Sequence, residues 1–312
     1  EMAVKKGLKI NEYGIFREKD NKKLGGKNEE DIYNILGLQY VPPELREDRG
    51  EIEAALNNAL SKLIELKDIR GDLHVHSEWS DGSHTFEELA SAAKERGYEY
   101  IAITDHSKGL GIARGLNEER LMEEKKAIDA LNKKLRGFKL LMGIEVDIRS
   151  DGRMDFSDEV LAKMDIVVAS IHSGFRQSKA QLTKRLVSAM KNPYVSVIAH
   201  PTGRLIGERD PYEADMDYIL KIAKETGTAL EINAYPLRLD LNDIYAKTAK
   251  ELGIKFVIST DAHLTSQFDY MHYGVSIARR GWLEKKDVLN TMSYNSLVTA
   301  LRGKRLRKNM LY

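Results

Sequence analysis

The sequence predicts an α/β protein, a seven-stranded (β/α)7 TIM-like barrel with a small N-terminal α+β appendage. From residue 69 onward, seven short runs rich in Ile, Val and Leu alternate with amphipathic helical segments, which is the pattern of parallel βαβ units. The chain has 312 residues, 42% of them hydrophobic, which suffices for one large domain of barrel size or two smaller ones. Periodicity alone does not show closure, so an open doubly wound sheet remains the alternative.

The first fifty residues differ in pattern from the rest. The alternating stretch LKINEYGIFRE is followed by the polar turn KDNKKLGG, the short helix NEEDIYNILG and the breaker VPPEL. We therefore assign residues 1–50 to a small appendage. The sequence opens on Glu1 in mid-pattern, so we expect it to be a piece of a longer protein.

One helix is predicted directly after the appendage. The run EIEAALNNALSKLIEL places four aliphatic residues at helical spacing, namely Ile52, Leu56, Leu60 and Leu63. Such an apolar stripe must dock on another surface, so residues 51–69 are interpreted as a linker with a docking helix. Residues 70–312 then form the main domain.

The main domain has seven predicted strands, separated by helices with start and stop signals. The strands are, in chain order, DLHVHS, YIAITDHS, KLLMGIEVDI, DIVVASIHS, VSVIAHP, TALEINAY and KFVISTDAH. Thr85 and Glu88 form a capping box, Asn117 can cap the next helix, and Gly97 and Gly227 are placed to end helices. The charged run LMEEKKAIDALNKKLR, in the helix after Asn117, is interpreted as a solvated face.

The composition limits the kinds of partner and site. The 49 Lys and Arg against 48 Asp and Glu leave a net charge of +1, so no global attraction to nucleic acid or membrane is expected, and any anion site must be local. Without cysteine, a transition metal must be held by imidazole and carboxylate. The sequence contains neither a long apolar run nor a leader pattern, so we expect a cytoplasmic protein with no membrane partner.

Six of the eight histidines fall at the C-terminal ends of predicted strands, together with two carboxylates. These eight residues are His74, His76, His106, Glu145, His172, His200, Asp261 and His263. In an α/β barrel such ends converge on one mouth, so the residues become neighbours and predict a metal cluster. They exceed the donors that one ion takes, which implies more than one metal. Asp81, in an SDG turn, is a further candidate ligand, with a plain Asp-Gly turn as the alternative.

The motifs HVHSEWSDG, ITDHS, GIEVD, SIHSG, AHPTG and STDAH resemble the polymerase and histidinol phosphatase (PHP) superfamily, over residues 70–303. The resemblance implies a distorted seven-stranded barrel with three divalent metal ions. It assigns one ion to His74, His76 and Asp261, a second to His172 and His200 with Glu145 bridging the two, and a third to Asp81, His106 and His263. Nitrogen and oxygen ligands suit Zn²⁺, Mn²⁺ and Fe²⁺ almost equally, so the metal identity stays open.

The appendage resembles a second family. GLKINEYGIF, EEDIYNILGLQYVPPELRED and GEIEAA are similar to the end of the thumb and the connector in bacterial and archaeal family X DNA polymerases, where the PHP domain follows the polymerase core. The resemblance implies that residues 1–50 are a thumb remnant and that the polymerase core of the same full-length chain is a partner. The 312 residues lack a Gly-Ser followed by paired catalytic aspartates, so they are not expected to hold the nucleotidyl-transfer site.

The expected chemistry is phosphoester hydrolysis around Glu145, Asp261 and His263. A carboxylate-bridged metal pair lowers the pKa of a shared water and stabilises the oxygens of an in-line displacement at phosphorus, so no serine or cysteine nucleophile is required. Arg204 in HPTGRLIG and Arg238 in NAYPLRLDLND are candidate phosphate ligands.

Three further polar residues have weaker signals. Asn233 shares a strand face with Glu231 and is a candidate to orient the substrate or a metal ligand, with an ordinary barrel hydrogen bond as the alternative. His84 and His272 match no metal position in the family, and both are interpreted as surface or supporting histidines.

The leading functional prediction is metal-dependent hydrolysis of 3′ phosphodiester or phosphomonoester groups in DNA, as a 3′–5′ exonuclease or in 3′-end processing. DNA 3′ ends are then the expected substrate. A small-molecule phosphatase of the histidinol phosphatase type and a structural metal domain that supports a polymerase remain alternatives. An amidohydrolase would be expected to have an eighth strand and often a modified lysine, and neither is recognised in the sequence.

Overall fold

The computed structural model describes residues 1–309. The chain divides into two units, Glu1–Lys62 and a second unit that begins at Leu63. This division falls inside residues 51–69, which were predicted to be a linker.

The first unit is a three-stranded antiparallel sheet with three helices. Its elements are α1 (Met2–Lys5), β1 (Leu8–Asn11), β2 (Gly14–Arg17), β3 (Lys23–Gly25), α2 (Glu29–Leu36) and α3 (Glu51–Leu56), and the strand order is β1-β2-β3. The predicted short helix is confirmed as α2. The Asn28 side chain accepts a hydrogen bond from the Asp31 N–H at its start, and Gly37, with φ of 73°, ends it in the left-handed conformation that glycine tolerates.

The predicted docking helix is wrong in length. The helix that begins at Glu51 ends at Leu56, because Asn58 takes a left-handed conformation with φ of 51°, which asparagine adopts more readily than most residues. The Asn57 side chain also donates to the Glu53 carbonyl and so caps the last turn. Within the helix, Ile52 and Leu56 are exposed rather than docked.

The second unit contains seven strands, β4 (Gly71–Val75), β5 (Tyr100–Ile103), β6 (Lys139–Asp147), β7 (Ile166–Ser170), β8 (Val197–Ile198), β9 (Ala229–Asn233) and β10 (Phe256–Ser259). Its helices are α4 (Phe86–Glu95), α5 (Glu118–Lys134), α6 (Asp158–Leu161), α7 (Lys179–Lys191), α8 (Met216–Thr226), α9 (Asp243–Glu251), α10 (Met271–Arg280) and α11 (Tyr294–Asn309). The predicted capping box of α4 is confirmed, since Thr85 and Glu88 exchange hydrogen bonds, and Asn117 caps α5 as predicted.

The seven strands form one parallel sheet whose spatial order follows the chain order from β4 to β10. A doubly wound sheet would instead reverse its order at a switch point, so this alternative is excluded. The first and last strands approach each other through a parallel bridge between Val75 and Ala262, and the His76 N–H donates to the Ala262 carbonyl at 2.8 Å. The sheet is therefore a nearly closed barrel, as predicted.

Two apolar clusters surround and fill this barrel. The larger lies between the strands and the helices around them, where Leu89 of α4 and Ile103 of β5 are both buried. The smaller contains Leu141 of β6 together with Leu297 and Leu301 of α11, so α11 covers the N-terminal ends of the strands. The polar residues described below therefore lie at the opposite, C-terminal end of the barrel.

One element of the second unit differs from its predicted environment. The charged run in α5 was expected to be a solvated face, but the Glu124 side chain is fully buried. Burial, together with the nearby Asp105 carboxylate, raises the pKa of Glu124 well above its usual range.

Among the helices within residues 1–309, none combines the length and the apolar character that crossing a bilayer requires.

Candidate metal centre

The structure brings all nine predicted ligands together at the C-terminal ends of the strands. His74 and Glu145 lie within β4 and β6, whereas the others follow the ends of their strands directly or lie in the loops beyond, because the strands are shorter than predicted. These seven are His76, Asp81, His106, His172, His200, Asp261 and His263. Short strands with polar turns place flexible ligand side chains on a rigid scaffold at one mouth.

The Glu145 carboxylate lies at the middle of the cluster and presents its two oxygens to different imidazoles. Oε1 is 3.2 Å from His172 Nε2 and 3.1 Å from His200 Nε2. Oε2 is 2.8 Å from His106 Nδ1 and 3.4 Å from His74 Nε2. A carboxylate with each oxygen facing a separate set of nitrogens has the arrangement of a ligand that bridges two metal ions.

A second group of donors surrounds the Asp261 carboxylate. Its Oδ1 is 3.1 Å from His76 Nε2 and 3.6 Å from His74 Nε2. Donor atoms of these three buried residues lie within 4.8 Å of one another, close enough to share one ion. Two imidazole nitrogens and one carboxylate are a ligand set that suits a first-row transition metal.

A third group surrounds Asp81 on the more exposed side of the cluster. Asp81 Oδ1 is 3.3 Å from His263 Nε2, and Oδ2 is 3.5 Å from His106 Nε2. His76 belongs to this group as well, since its Nδ1 is 3.7 Å from Asp81 Oδ1. The side chains of Asp81 and His263 are 31% and 32% exposed, so this group faces solvent whereas the other two are enclosed.

The cluster contains buried polar atoms that form no well-oriented hydrogen bond, although two of them, His106 Nδ1 and Glu145 Oε2, lie 2.8 Å apart. The four atoms are His74 Nε2, His76 Nδ1, His106 Nδ1 and Glu145 Oε2. Leaving one such atom unpaired in a protein interior costs about 1–3 kcal/mol, and proteins rarely leave several together. All four belong to the predicted ligands, so bound cations would satisfy them at once. The donor set therefore fits divalent metal ions.

The charges of the cluster fit this interpretation for the carboxylates and for part of the imidazoles. The ionised carboxylates raise the pKa of His74, His106, His172 and His263, so bound cations would displace protons from these four side chains. Although burial opposes ionisation, the imidazoles of His172, His106 and His74 hold the pKa of Glu145 well below its usual range. Burial and the nearby charges of His263 and His106 lower the pKa of His76 to about 4. An ionised carboxylate and a neutral imidazole are the forms in which these groups bind metals.

A supporting layer of hydrogen bonds orients the ligands, and Glu231 on β9 is its main member. Its Oε1 is 2.8 Å from His74 Nδ1, and its Oε2 accepts the His200 N–H at 2.7 Å. Asn233 donates from Nδ2 to Glu231 Oε2 and to Asp261 Oδ2, both at 3.1 Å. The structure thus places Asn233 against a ligand carboxylate. A histidine that donates its second nitrogen to a carboxylate is held in one tautomer and orientation, which is the usual arrangement at metal sites.

Sequence reasoning missed two of these supporting carboxylates. Asp72, fully buried, accepts hydrogen bonds from the backbone N–H groups of His74 and Thr260, and so links β4 to the segment that carries Asp261. The distance from Asp147 Oδ1 to His172 Nδ1 is 3.6 Å, and the same oxygen accepts a hydrogen bond from the backbone N–H of His172. Their only signal in the sequence is that each lies two residues from a ligand within a strand.

Two ligands have unusual backbone conformations. His200 and Asp261 have positive φ values of 29° and 55°, a region that residues other than glycine seldom occupy. Each such residue costs on the order of 1–3 kcal/mol and persists only where neighbouring contacts fix it. At His200 the fixing contact is the hydrogen bond to Glu231. This conformational cost is thus concentrated at the cluster.

The two predicted phosphate ligands have different environments. Arg238 lies at the cluster, with its Nε 3.4 Å from Asp261 Oδ2 and its side chain 17% exposed. Arg204 donates from Nε to the Arg238 carbonyl at 2.7 Å and from Nη2 to the Leu239 carbonyl. Two donors of Arg204 are thus used to hold the backbone of the loop that carries Arg238.

His84 and His272 lie apart from the cluster, as predicted. His84 Nδ1 is 3.6 Å from Glu88, and His272 Nδ1 is 2.5 Å from the Asp269 carbonyl. Neither belongs to any of the possible metal-binding groups within the described residues.

Comparison with known families tests the resemblance of the sequence motifs to the PHP superfamily. The PHP domain matches residues 72–235, which is more than half of the chain. The chain belongs to the PHP family. The DNA polymerase beta thumb matches residues 1–47, in agreement with the resemblance of the appendage.

Two relatives in sequence and one solved structure of similar fold show what this PHP chain resembles. The DNA polymerase/3′-5′ exonuclease PolX of Bacillus subtilis is 46% identical over 302 residues, which are 97% of this chain and 53% of PolX. A "Probable phosphatase" of Caldanaerobacter subterraneus is 30% identical over 249 residues, 76% of this chain and 92% of that protein. Among solved structures, the histidinol phosphate phosphatase of Lactococcus lactis, complexed with zinc, L-histidinol and phosphate, has a TM-score of 0.51 at 18% identity and covers 68% of this chain and 93% of its own.

These comparisons agree with the predicted fold. The Lactococcus enzyme shares the barrel architecture at low sequence identity. The PHP chain spans about half the length of PolX, so the residues it shares with PolX include the thumb and the PHP domain but not the remainder of that protein.

Proposed function

We propose that this chain is a metal-dependent phosphoesterase that hydrolyses phosphodiester or phosphomonoester groups at the 3′ ends of DNA. The observation that carries the proposal is the Glu145 carboxylate, whose two oxygens face imidazoles from four different loops or strands. A bridged cluster of this kind is typical of enzymes that hydrolyse phosphoesters. The similarity to PolX, which is named a 3′-5′ exonuclease, favours DNA as the substrate.

The centre is proposed to hold three divalent ions, with Zn²⁺, Mn²⁺ and Fe²⁺ as candidates. His74, His76 and Asp261 would hold one ion and His172 and His200 a second, with Glu145 as a shared ligand, and Asp81, His106 and His263 would hold the third. When bound, such ions lower the pKa of water and neutralise charge on the phosphoryl oxygens. The buried atoms without a well-oriented hydrogen bond, His74 Nε2, His76 Nδ1, His106 Nδ1 and Glu145 Oε2, support this assignment.

The proposed catalytic residues are Glu145, Asp261 and His263, each with a distinct part. Glu145 holds the enclosed donors together from the centre of the cluster. Asp261 has one oxygen toward His76 and the other fixed by Asn233, so its orientation is set before substrate arrives. His263 is the exposed member, and its side of the cluster is where water and the ester would enter.

Substrate binding is assigned chiefly to Arg238. It lies beside Asp261 and is only partly exposed, so its guanidinium can reach a phosphate held at the cluster through charge-assisted hydrogen bonds. Arg204 supports this role by holding the Arg238 backbone. Arg238→Ala should lower kcat/KM about tenfold or more while the metal content, measured by mass spectrometry, stays unchanged. Lost metal in this variant would contradict the assignment.

The polymerase context is part of the same proposal. The thumb match at residues 1–47 and the 46% identity to PolX support a chain that acts together with a polymerase core. DNA 3′ ends produced or corrected by such a core are then the natural substrate.

A small-molecule phosphatase is the second candidate, because the Caldanaerobacter relative named a probable phosphatase aligns over 92% of its length. A purely structural metal domain is less well supported, since structural sites are usually closed to solvent, whereas Asp81 and His263 are partly exposed.

Hydrolysis of 3′-labelled oligonucleotides tests the proposal directly. Single-stranded and nicked DNA would be incubated with the chain in Mn²⁺ or Zn²⁺, with L-histidinol phosphate as the rival substrate. We expect release of 3′ nucleotides or phosphate and loss of this activity in Glu145→Ala. Turnover of histidinol phosphate alone would overturn the DNA assignment but leave a phosphoesterase, and hydrolysis of neither substrate would overturn both.

A further inference from the structure

The loop between β8 and α8 holds an arginine that takes no part in the metal centre or in the contacts assigned above. The Arg209 guanidinium lies over the Phe175 ring, with its central carbon 4.0 Å from the ring centroid. Its Nε donates to the Gly203 carbonyl at 2.9 Å. Stacking and one hydrogen bond therefore fix the plane of the guanidinium, and its terminal nitrogens remain available for a ligand.

The Phe175 ring under Arg209 is itself held in place. The Phe175 ring stacks on Tyr212 at 6.2 Å with an interplanar angle of 17°, and the Tyr212 hydroxyl donates to the Pro201 carbonyl at 2.6 Å. Gly203, with φ of 63°, lies so close to the Tyr212 ring that a Cβ there would be 2.5 Å from it. The arginine is thus held in advance, which lowers the entropic cost of binding an anion.

This loop is tied to the loop that carries Arg238. The buried Asp240 carboxylate accepts the Thr202 and Gly203 N–H groups, and the Ile206 N–H donates to the Leu237 carbonyl. Arg209 is therefore fixed relative to Arg238, which in turn contacts Asp261 of the metal centre.

The charge around Arg209 also suits an anion. Among the described residues, no carboxylate forms an ion pair with Arg209. Burial and the positive charge of Arg238 lower the pKa of Arg209 from its ordinary value, and only Glu208 and Tyr212 oppose this effect. The charge of Arg238 therefore acts on Arg209 with only partial compensation. A cavity of about 470 Å³ is lined by residues 204–211, which include Arg209 and the acidic Glu208 and Asp210.

We propose that Arg209 is a second phosphate subsite, which binds a backbone phosphate next to the one hydrolysed at the metal centre. The proposal rests on the proposed phosphoesterase function and specifies its substrate class. A polynucleotide end carries neighbouring phosphates and engages both Arg209 and the centre, whereas a single-phosphate ester engages the centre alone. Arg209 therefore favours nucleic acid strands over small esters.

The test compares two substrates that share the scissile chemistry. Pentathymidylate has several backbone phosphates, and thymidine 5′-(4-nitrophenyl phosphate) has one. Arg209→Gln should lower kcat/KM for pentathymidylate about tenfold, mainly through KM, because one charge-assisted contact is lost. The single-phosphate ester should change less than twofold. Arg136→Gln, at an exposed arginine beyond α5, removes the same charge and should change neither substrate.

Salt dependence and a second variant separate the contribution of the Arg209 charge from that of the Phe175 ring beneath it. The slope of log Kd against log salt for fluorescein-labelled pentathymidylate, measured by anisotropy, should become shallower by about 0.7 in Arg209→Gln. Phe175→Leu keeps the charge but removes the ring, so pentathymidylate KM should rise while the salt slope is retained. Equal loss on both substrates would assign Arg209 a structural role, and an unchanged Kd in Arg209→Gln would overturn the subsite. Wild-type hydrolysis of neither substrate, with the Kd effect present, would overturn the phosphoesterase function but not the subsite.

Discussion

Substitution of Glu145 tests whether one carboxylate serves two metal positions. In the structure each of its oxygens lies within 3.4 Å of two imidazole nitrogens, and the side chain is almost completely buried. Glu145→Ala removes both oxygens, so both positions should weaken together. Glu145→Gln keeps one oxygen and replaces the other by an NH₂ group, which cannot bind a cation. The amide variant should therefore weaken one position much more than the other.

The expected size follows from the contacts that are lost. A hydrogen bond to a charged group contributes about 1.5–3 kcal/mol; if a carboxylate ligand contributes at least as much, each affected ion loses roughly 10–150-fold or more in affinity. Glu145→Ala should then lose two ions on dialysis against a weak chelator, and Glu145→Gln one. Both variants lose the negative charge that lets cations lie close together, so both should also lose hydrolytic activity.

The assay is metal content per chain by mass spectrometry after dialysis at graded chelator concentrations. His84→Ala is the control, because His84 lies outside the cluster and is partly exposed. Full metal retention by Glu145→Ala, or loss of the same single ion from both variants, would refute the bridging arrangement.

Three further predictions concern residues around the cluster. Glu231→Gln removes the charge that orients His74, and should lower metal affinity or activity roughly 10–100-fold without loss of folding, measured by metal titration and circular dichroism. Asp261→Asn keeps the shape of the side chain, so hydrolysis of 3′ ends should fall before metal content does, and an equal loss of both would contradict this order. Burial and the Asp105 carboxylate raise the pKa of Glu124. As the pH rises above the ordinary carboxyl range, the unfolded chain therefore releases a proton that the folded protein still holds. The free energy of unfolding falls with rising pH as a result. Glu124→Gln should remove this loss and raise stability at pH 8 by roughly 1–3 kcal/mol, with little change at pH 4; identical urea unfolding curves at pH 8 would contradict it.

The sequence predicts the barrel and its ligands because both depend on features that repeat along the chain. Each strand is a short apolar run, and each ligand follows at a polar position near its C-terminal end, as with His106 after β5 and His172 after β7. Once a barrel is assumed, convergence of those ends needs no further information. Capping is predictable for a similar reason, since Thr85 and Glu88 interact within four residues.

Other features depend on partners that are distant in sequence, and a local pattern does not contain them. Glu124 is one charged residue among many in α5, and only the packed structure shows that it is buried beside Asp105. Arg204 has the sequence context of a phosphate ligand, yet carbonyls more than thirty residues away take two of its donors. The end of α3 was missed because the left-handed conformation of Asn58 outweighs the aliphatic spacing beyond it.

The near closure of the barrel has a consequence for how the protein opens. Between β4 and β10 the described backbone is joined by the Val75–Ala262 bridge rather than by a continuous ladder, and the side chains of Asp72 and Asn290 supply further hydrogen bonds across this seam. His74 and His76 stand on one side of the seam, and Asp261 and His263 on the other. Ions with ligands on both sides of the seam would stabilise its closed form. The backbone amide of His76, which donates to the Ala262 carbonyl, should therefore exchange its hydrogen more slowly as metal is added. The hydrogen-exchange rate of the His76 amide would then report how strongly bound metal stabilises the contact between β4 and β10.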